Sequence, residues 1–154
     1  MAELNIGDRA PDFDLPTDTG RVSLAALKGR KVVLFFYPKD DTPGCTTEAI
    51  AFSQAKAEFE AAGATLVGVS KDTVKKHGRF REKHGLTVEL GSAAEDDVIE
   101  RYGAWVQKKL YGREYMGIDR STWLIDGDGA IRHIWRKVKV AGHAQDVLDT
   151  VKRL

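Results

Sequence analysis

Runs of apolar residues and one turn motif predict four β-strands. The segments Lys31–Tyr37 and Ala64–Val69 are apolar almost throughout and rich in β-branched or aromatic residues. Such runs are typical of the central strands of a parallel sheet that is covered on both faces. Two later segments, Ser121–Ile125 and Ile131–Trp135, flank Asp126-Gly127-Asp128-Gly129. Because Asp-Gly adopts the positive φ angles of a tight turn, this stretch predicts a β-hairpin.

Apolar residues three and four positions apart predict helices between and after these strands. The helix expected over Pro43–Ala62 would end at Gly63, a residue suited to a helix C-terminus. A basic helix is expected over about residues 73–84 and a short one around Val98–Tyr102. The apolar stripes are Ala49, Phe52, Ala55 and Phe59 in the first helix, and Ala144, Val147, Leu148 and Val151 in the C-terminal one.

The order of these elements predicts the fold class. Strand and helix alternate twice, then a β-hairpin and a final helix follow, which indicates an α/β sandwich with a mixed central sheet flanked by helices. A thioredoxin-like arrangement fits this order best. Two short strand-like pieces, Asp12–Leu15 and Arg21–Leu24, predict an N-terminal β-hairpin extension. Since no linker or repeat interrupts the pattern, residues 1–154 are expected to form a single domain.

Composition and charge exclude several classes of function. The 154 residues carry a formal net charge of +1, whereas binders of nucleic acid or anionic membranes normally have a basic excess. The longest apolar run, Val32–Tyr37, is far shorter than the ~20 residues of a membrane-spanning helix. The first residues lack the basic start and apolar core of a secretory signal, so a cytoplasmic protein is expected.

The chain contains one cysteine, Cys45, and its position favours chemistry. A single cysteine excludes an intramolecular disulfide, a cysteine-rich zinc site and a CxxC dithiol. Cys45 follows a predicted strand and turn and lies in the first turn of a predicted helix, where unpaired N–H groups and the helix dipole stabilise a thiolate. The alternative is a small buried apolar residue, a common fate of a free cysteine.

The residues before Cys45 strengthen the functional interpretation. They form the pattern P-x-x-x-T-x-x-C, in which Thr42 stands one helical turn before the cysteine. Its hydroxyl would share a space with the sulfur, and Gly44 would let a substrate approach the backbone. Taken alone, Thr42 is better explained as a helix N-cap.

Several further segments occur in combination with this motif. In these segments the chain resembles the peroxiredoxins, specifically the bacterioferritin comigratory protein or PrxQ group. The resemblance extends from about Asn5 to the C-terminus. The segments are Pro38–Ala49 (PKDDTPGCTTEA), Tyr102–Trp105 (YGAW), Gly117–Thr122 (GIDRST), Trp135–Val140 (WRKVKV) and Gly142–Ala144 (GHA).

The resemblance implies a function and a role for individual residues. It implies a thiol-dependent peroxidase that reduces hydrogen peroxide and organic (alkyl) hydroperoxides, with Cys45 as the peroxidatic cysteine that becomes a sulfenic acid. Thr42 would hold the thiolate and the incoming peroxide, and Arg120 would stabilise the thiolate and the charge on the leaving oxygen. Pro38 would shield the sulfur from water, and Glu48 would orient an arginine. No metal, haem or flavin is implied, because the thiolate itself is the reductant.

The chain departs from the group at the second, resolving cysteine. Many members carry it five residues after the first, where this chain has Ile50, and others carry it in the region of Arg79–Lys83, which has none. An external thiol is therefore expected to resolve the sulfenic acid, whether thioredoxin, glutaredoxin or glutathione. Ile50 falls on the expected solvent face of its helix, which fits an interface, a vanished cysteine or a feature without meaning. A monomer is expected, with a weak dimer as the alternative.

Two alternative functions share the reactive thiol. One is a non-enzymatic redox-sensing or chaperone-like module, and the other is a cysteine hydrolase or transferase with a Cys/His pair. The second needs a histidine close to Cys45, yet His77 and His84 are predicted to be solvated, and His133 and His143 to be structural. The basic stretch of Lys71–Lys83 is interpreted as a solvated face rather than a docking patch.

Overall fold

A seven-stranded mixed sheet forms the centre of the molecule. The computed structural model describes residues 3–154. The strand order is β2-β1-β5-β4-β3-β8-β9, and β6 and β7 form a separate two-stranded sheet. The strands are β1 Asp14–Thr17, β2 Gly20–Ser23, β3 Lys31–Phe36, β4 Ala64–Ser70, β5 Glu89–Ser92, β6 Trp105–Leu110, β7 Arg113–Ile118, β8 Ser121–Ile125 and β9 Ile131–Trp135. The helices are α1 Pro43–Gln54, α2 Lys56–Ala61, α3 Val74–His84, α4 Val98–Arg101 and α5 His143–Lys152.

The sheet confirms the predicted thioredoxin-like α/β sandwich. Strands β3, β4 and β5 are parallel, and β8 joins β3 antiparallel, followed by β9. The β1–β2 hairpin extends the other edge of the sheet by pairing with β5. The β8–β9 hairpin forms at the predicted Asp-Gly turn. No helix within residues 3–154 is long and apolar enough to cross a membrane.

Two apolar cores, one on each face of the sheet, explain why β3 has no polar face. Its residues Val33 and Phe35 lie in the core beneath α1, α2, α3 and α5. Cys45 belongs to the same core. Its residues Val32 and Leu34 lie in the core on the opposite face, which α4 and the N-terminal segment cover. Because side chains alternate along a strand, burial of both faces requires the continuous apolar run.

Several predicted details are wrong. The predicted helix over residues 43–62 is two helices that meet at Ala55. Ile50 does not face solvent freely: it is partly buried against the core on the helical face of the sheet. Strand β5 and the β6–β7 hairpin were not predicted; the hairpin is mostly exposed and turns at Tyr111-Gly112, both with positive φ.

Candidate active site

The turn between β3 and α1 places Cys45 at the C-terminal end of the parallel strands. Strand β3 ends at Phe36, and α1 begins at Pro43 with Thr42 in the N-cap position. The first backbone hydrogen bond of the helix runs from Thr46 N to Thr42 O, at 2.9 Å. The backbone N–H groups of Gly44 and Cys45 therefore precede the first helical hydrogen bond and form part of the positive end of the helix dipole.

Arg120 contacts Cys45 although it lies 75 positions later in the sequence. It lies between β7 and β8, immediately before Ser121, whose strand partner is Phe36 at the end of β3. That register brings the loop containing Arg120 to the same edge of the sheet as the turn before α1. Arg120 Nη2 lies 3.2 Å from Cys45 Sγ, and Cys45 is only 2% exposed.

Gly44 makes room for this arginine. A Cβ atom at position 44 would lie 3.2 Å from Arg120 Nη2, tighter than an ordinary carbon contact. The sequence suggested that Gly44 admits a substrate to the backbone. In the structure, the group that passes closest to it is the guanidinium of Arg120.

Glu48 holds the other side of the same guanidinium. Arg120 Nη1 donates to Glu48 Oε1 at 2.8 Å, while Glu48 Oε2 is buried and has no hydrogen-bond partner within the described part of the chain. Burial raises the pKa of Glu48 to about 7, against the opposing effect of Arg120. Burial alone would lower the pKa of Arg120, but the charges of Glu48 and Cys45 raise it. Arg120 is therefore a fixed cation between a thiol and a carboxyl group.

Thr42 and Pro38 occupy the turn but do not contact the sulfur by hydrogen bond. Thr42 Oγ1 donates to the backbone oxygen of Lys39 at 2.8 Å and makes no capping bond to α1. Pro38 is exposed. The structure thus brings Cys45, Arg120 and Glu48 into one cluster, and it leaves the roles of Thr42 and Pro38 as predictions.

A buried polar cluster fixes the turn from behind. Asp40 Oδ2 lies 2.6 Å from His77 Nδ1 on α3, and Asp40 Oδ1 accepts from the Tyr37 hydroxyl at 2.6 Å. The backbone amide of Asp40 donates to Asp72 Oδ2, which also accepts from Ser70 Oγ at 2.6 Å. Burial, reinforced by the Asp40 carboxylate, raises the pKa of Tyr37 well above its ordinary value. This cluster anchors the segment that leads to Cys45.

The expectation that His77 and His84 are solvated is wrong. His77 is 0% exposed, and His84 is half-buried with Nε2 2.8 Å from Asp41 Oδ1. His143 is also buried, with Nε2 2.7 Å from Thr122 Oγ1, and burial lowers its pKa to about 4. No histidine among residues 3–154 hydrogen-bonds to Cys45, which gives no support to a Cys/His pair. The same residues contain no group of three or more His, Cys, Asp or Glu that could hold a metal ion.

Comparison with known proteins identifies a consistent set of relatives. Residues 6–134 match the model of the AhpC/TSA family. The chain is 48% identical to the putative peroxiredoxin bcp of Coxiella burnetii, an alignment that covers 94% of this chain and 97% of that protein. It is 47% identical to peroxiredoxin Bcp of Bacillus subtilis, covering 97% and 96%.

Solved structures of similar proteins have the same fold. Peroxiredoxin Q of Xanthomonas campestris superposes with a TM-score of 0.87 at 42% identity, covering 92% of this chain and 90% of that one. PrxQ of Xylella fastidiosa gives a TM-score of 0.93 at 36% identity, covering 99% and 98%.

Proposed function

The chain belongs to the AhpC/TSA family of peroxiredoxins and is a thiol peroxidase, and we propose that Cys45 is the residue that reduces the peroxide. One observation carries this proposal: Arg120 Nη2 lies 3.2 Å from Cys45 Sγ at the N-terminus of α1. A guanidinium and a helix N-terminus both stabilise a thiolate, which is the nucleophilic form of cysteine.

The first step transfers one oxygen atom to Cys45. The thiolate attacks the nearer peroxide oxygen, the O–O bond breaks, and Cys45 becomes a sulfenic acid while hydroxide or alkoxide leaves and takes up a proton. Arg120 stabilises the charge that develops on the leaving oxygen. Because the Thr42 hydroxyl donates its proton to Lys39 O, its oxygen keeps the capacity to accept a hydrogen bond from the peroxide. Pro38, which is exposed on the turn, has the role of shielding the sulfur from water that the family resemblance implies.

An external thiol completes the cycle, since the sequence has no second cysteine. Its sulfur attacks Sγ of the sulfenic acid, water leaves, and a mixed disulfide forms; a second thiol then releases Cys45 as a thiol. Cys45 is 2% exposed, so the first turn of α1 has to open before the external thiol reaches the sulfur. Thioredoxin, glutaredoxin and glutathione are the candidate reductants, and a reducing cytoplasm would supply them.

Intact-mass measurement tests this cycle. One equivalent of hydrogen peroxide should add one oxygen to the protein, glutathione should convert that species to a mixed disulfide, and more thiol should restore the parent mass. The Cys45→Ser variant should show none of these changes. Turnover of peroxide with thiol but without an adduct on Cys45 would contradict the one-cysteine cycle. Formation of the sulfenic acid without turnover would instead indicate a redox sensor.

A further inference from the structure

A groove of about 380 Å³ lies between α3 and the turn that precedes Cys45. The turn contributes one wall and α3 the other, and the ring of Phe80 packs in the same apolar core as Cys45. The groove therefore borders the segment that has to move when the oxidised sulfur becomes accessible. Its lining residues are Lys39, Asp40, Asp41, Asp72, Lys76, Arg79, Phe80 and Lys83.

The carboxylates of the groove are already engaged within the protein. Asp40 is bonded to Tyr37 and His77, and Asp72 Oδ2 accepts two hydrogen bonds from the turn and the end of β4. Asp41 accepts from Lys83 at 2.8 Å and contacts His84. Hydrogen bonds from these two groups lower the pKa of Asp41. Each of the three carboxylates thus has polar partners within the protein, and Asp41 pairs with Lys83, a cation of the same groove.

Three cationic side chains in the same groove have no ion-pair partner within the described residues. The side chains of Lys39, Lys76 and Arg79 are exposed, and within residues 3–154 they make no ion pair and no hydrogen bond. Other basic residues of the stretch are committed elsewhere: Arg81 binds Asp18, and Lys71 pairs with Glu100. Two exposed cations of the basic stretch, Lys76 and Arg79, thus line one concave site together with Lys39 of the turn, whereas Lys75 does not.

We propose that this groove binds the carboxylates of a small anionic thiol, the class to which glutathione belongs, and presents its sulfur to oxidised Cys45. The inference rests on the one-cysteine cycle proposed above. The volume of the groove, about 380 Å³, falls in the range of small-molecule sites. Unpaired cations match the carboxylates of such a thiol and raise its local concentration.

The chemical step balances without a further reactant. The thiolate of the bound ligand attacks Cys45 Sγ, the S–O bond breaks, and the leaving hydroxide takes up a proton to give water. A mixed disulfide remains on Cys45. A second molecule of thiol attacks the ligand sulfur of that disulfide, so the ligand leaves as its oxidised dimer and Cys45 returns to the reduced state.

A ratio of rate constants tests the groove. Protein oxidised with one equivalent of hydrogen peroxide is mixed rapidly with glutathione or with uncharged 2-mercaptoethanol, and formation of each adduct on Cys45 is followed by mass. The rate with glutathione divided by the rate with 2-mercaptoethanol cancels the intrinsic reactivity of the sulfenic acid. In the Lys76→Gln/Arg79→Gln double variant this ratio should fall about three- to tenfold, the size expected for two exposed charges. High salt should lower the wild-type ratio in the same direction.

Lys75→Gln is the matched control, since Lys75 is exposed on the same helix but does not line the groove. It should leave the ratio within twofold of the wild-type value. An equal ratio in the wild type, the double variant and the control would overturn the groove proposal while leaving the one-cysteine cycle intact. Absence of an adduct with either thiol would instead overturn the cycle itself.

Discussion

Replacing Glu48 by glutamine should make the protein more stable above neutral pH. Glu48 is 2% exposed, one of its carboxyl oxygens has no hydrogen-bond partner among the described residues, and burial raises its pKa from 4.5 to about 7. The ionised carboxylate is therefore less favourable in the folded chain than in the unfolded one. Glutamine keeps an oxygen acceptor for Arg120 and cannot ionise.

The size of the effect follows from the two pKa values. A carboxyl group whose folded pKa is raised costs nothing below about pH 4.5, where both states are protonated. The cost grows between 4.5 and 7 and is complete above 7. The difference of 7 − 4.5 = 2.5 pKa units corresponds to about 3 to 4 kcal/mol, taking about 1.4 kcal/mol for each unit. Glu48→Gln should recover a gain of that order at pH 8 and almost none at pH 4.5.

Urea denaturation at the two pH values measures this difference in the free energy of unfolding. Glu60→Gln is a suitable control, because Glu60 is exposed and its pair with Lys56 spans 3.7 Å, so its effect should stay within about 0.5 kcal/mol at both pH values. A Glu48→Gln variant that loses the same stability at pH 4.5 and pH 8 would refute the reasoning. The carboxylate would then be a stabilising partner of Arg120 rather than a cost.

Substitutions at three other positions address the site. Arg120→Ala should slow oxidation of Cys45 by hydrogen peroxide by about 10²-fold in stopped-flow fluorescence, and Arg120→Lys should restore only part of the rate; an unchanged rate in Arg120→Ala would contradict its role. Thr42→Val should slow the same step by about tenfold or more and change stability by less than about 1 kcal/mol, since the hydroxyl does not cap α1; a stability loss matching the rate loss would indicate a structural role. His77→Phe should lower the free energy of unfolding by about 1–3 kcal/mol, because it leaves Asp40 Oδ2 buried without the His77 ring nitrogen that lies 2.6 Å from it; a change under about 0.5 kcal/mol would contradict that pairing.

Sequence patterns predicted the elements whose burial determines their apolar pattern directly. Strands β3 and β4 are buried on both faces, so their sequences are continuously apolar. The β6–β7 hairpin lies apart from the main sheet with most side chains exposed, so it has no apolar alternation to detect. Strand β5 is only four residues long and contains Gly91, which weakens any strand signal.

The site was only partly predictable because its contacts are distant in sequence. Local pattern alone placed Cys45 at a helix N-terminus, while Arg120, 75 positions away, came from the family resemblance. His77 was missed because it lies within a basic stretch, and its partner Asp40 is 37 positions earlier. Only the pairing of β3 with β4 and β8 brings these residues to one edge of the sheet.

The reaction of Cys45 with peroxide tests the central claim most directly. The rate constant for loss of the Cys45 thiol after rapid mixing with hydrogen peroxide is compared with that of free cysteine at the same pH. We predict a rate at least about a hundredfold higher, as expected if the Arg120 guanidinium and the N-terminus of α1 act on the sulfur and the leaving oxygen. A Cys45 thiol that reacts no faster than free cysteine would contradict the account.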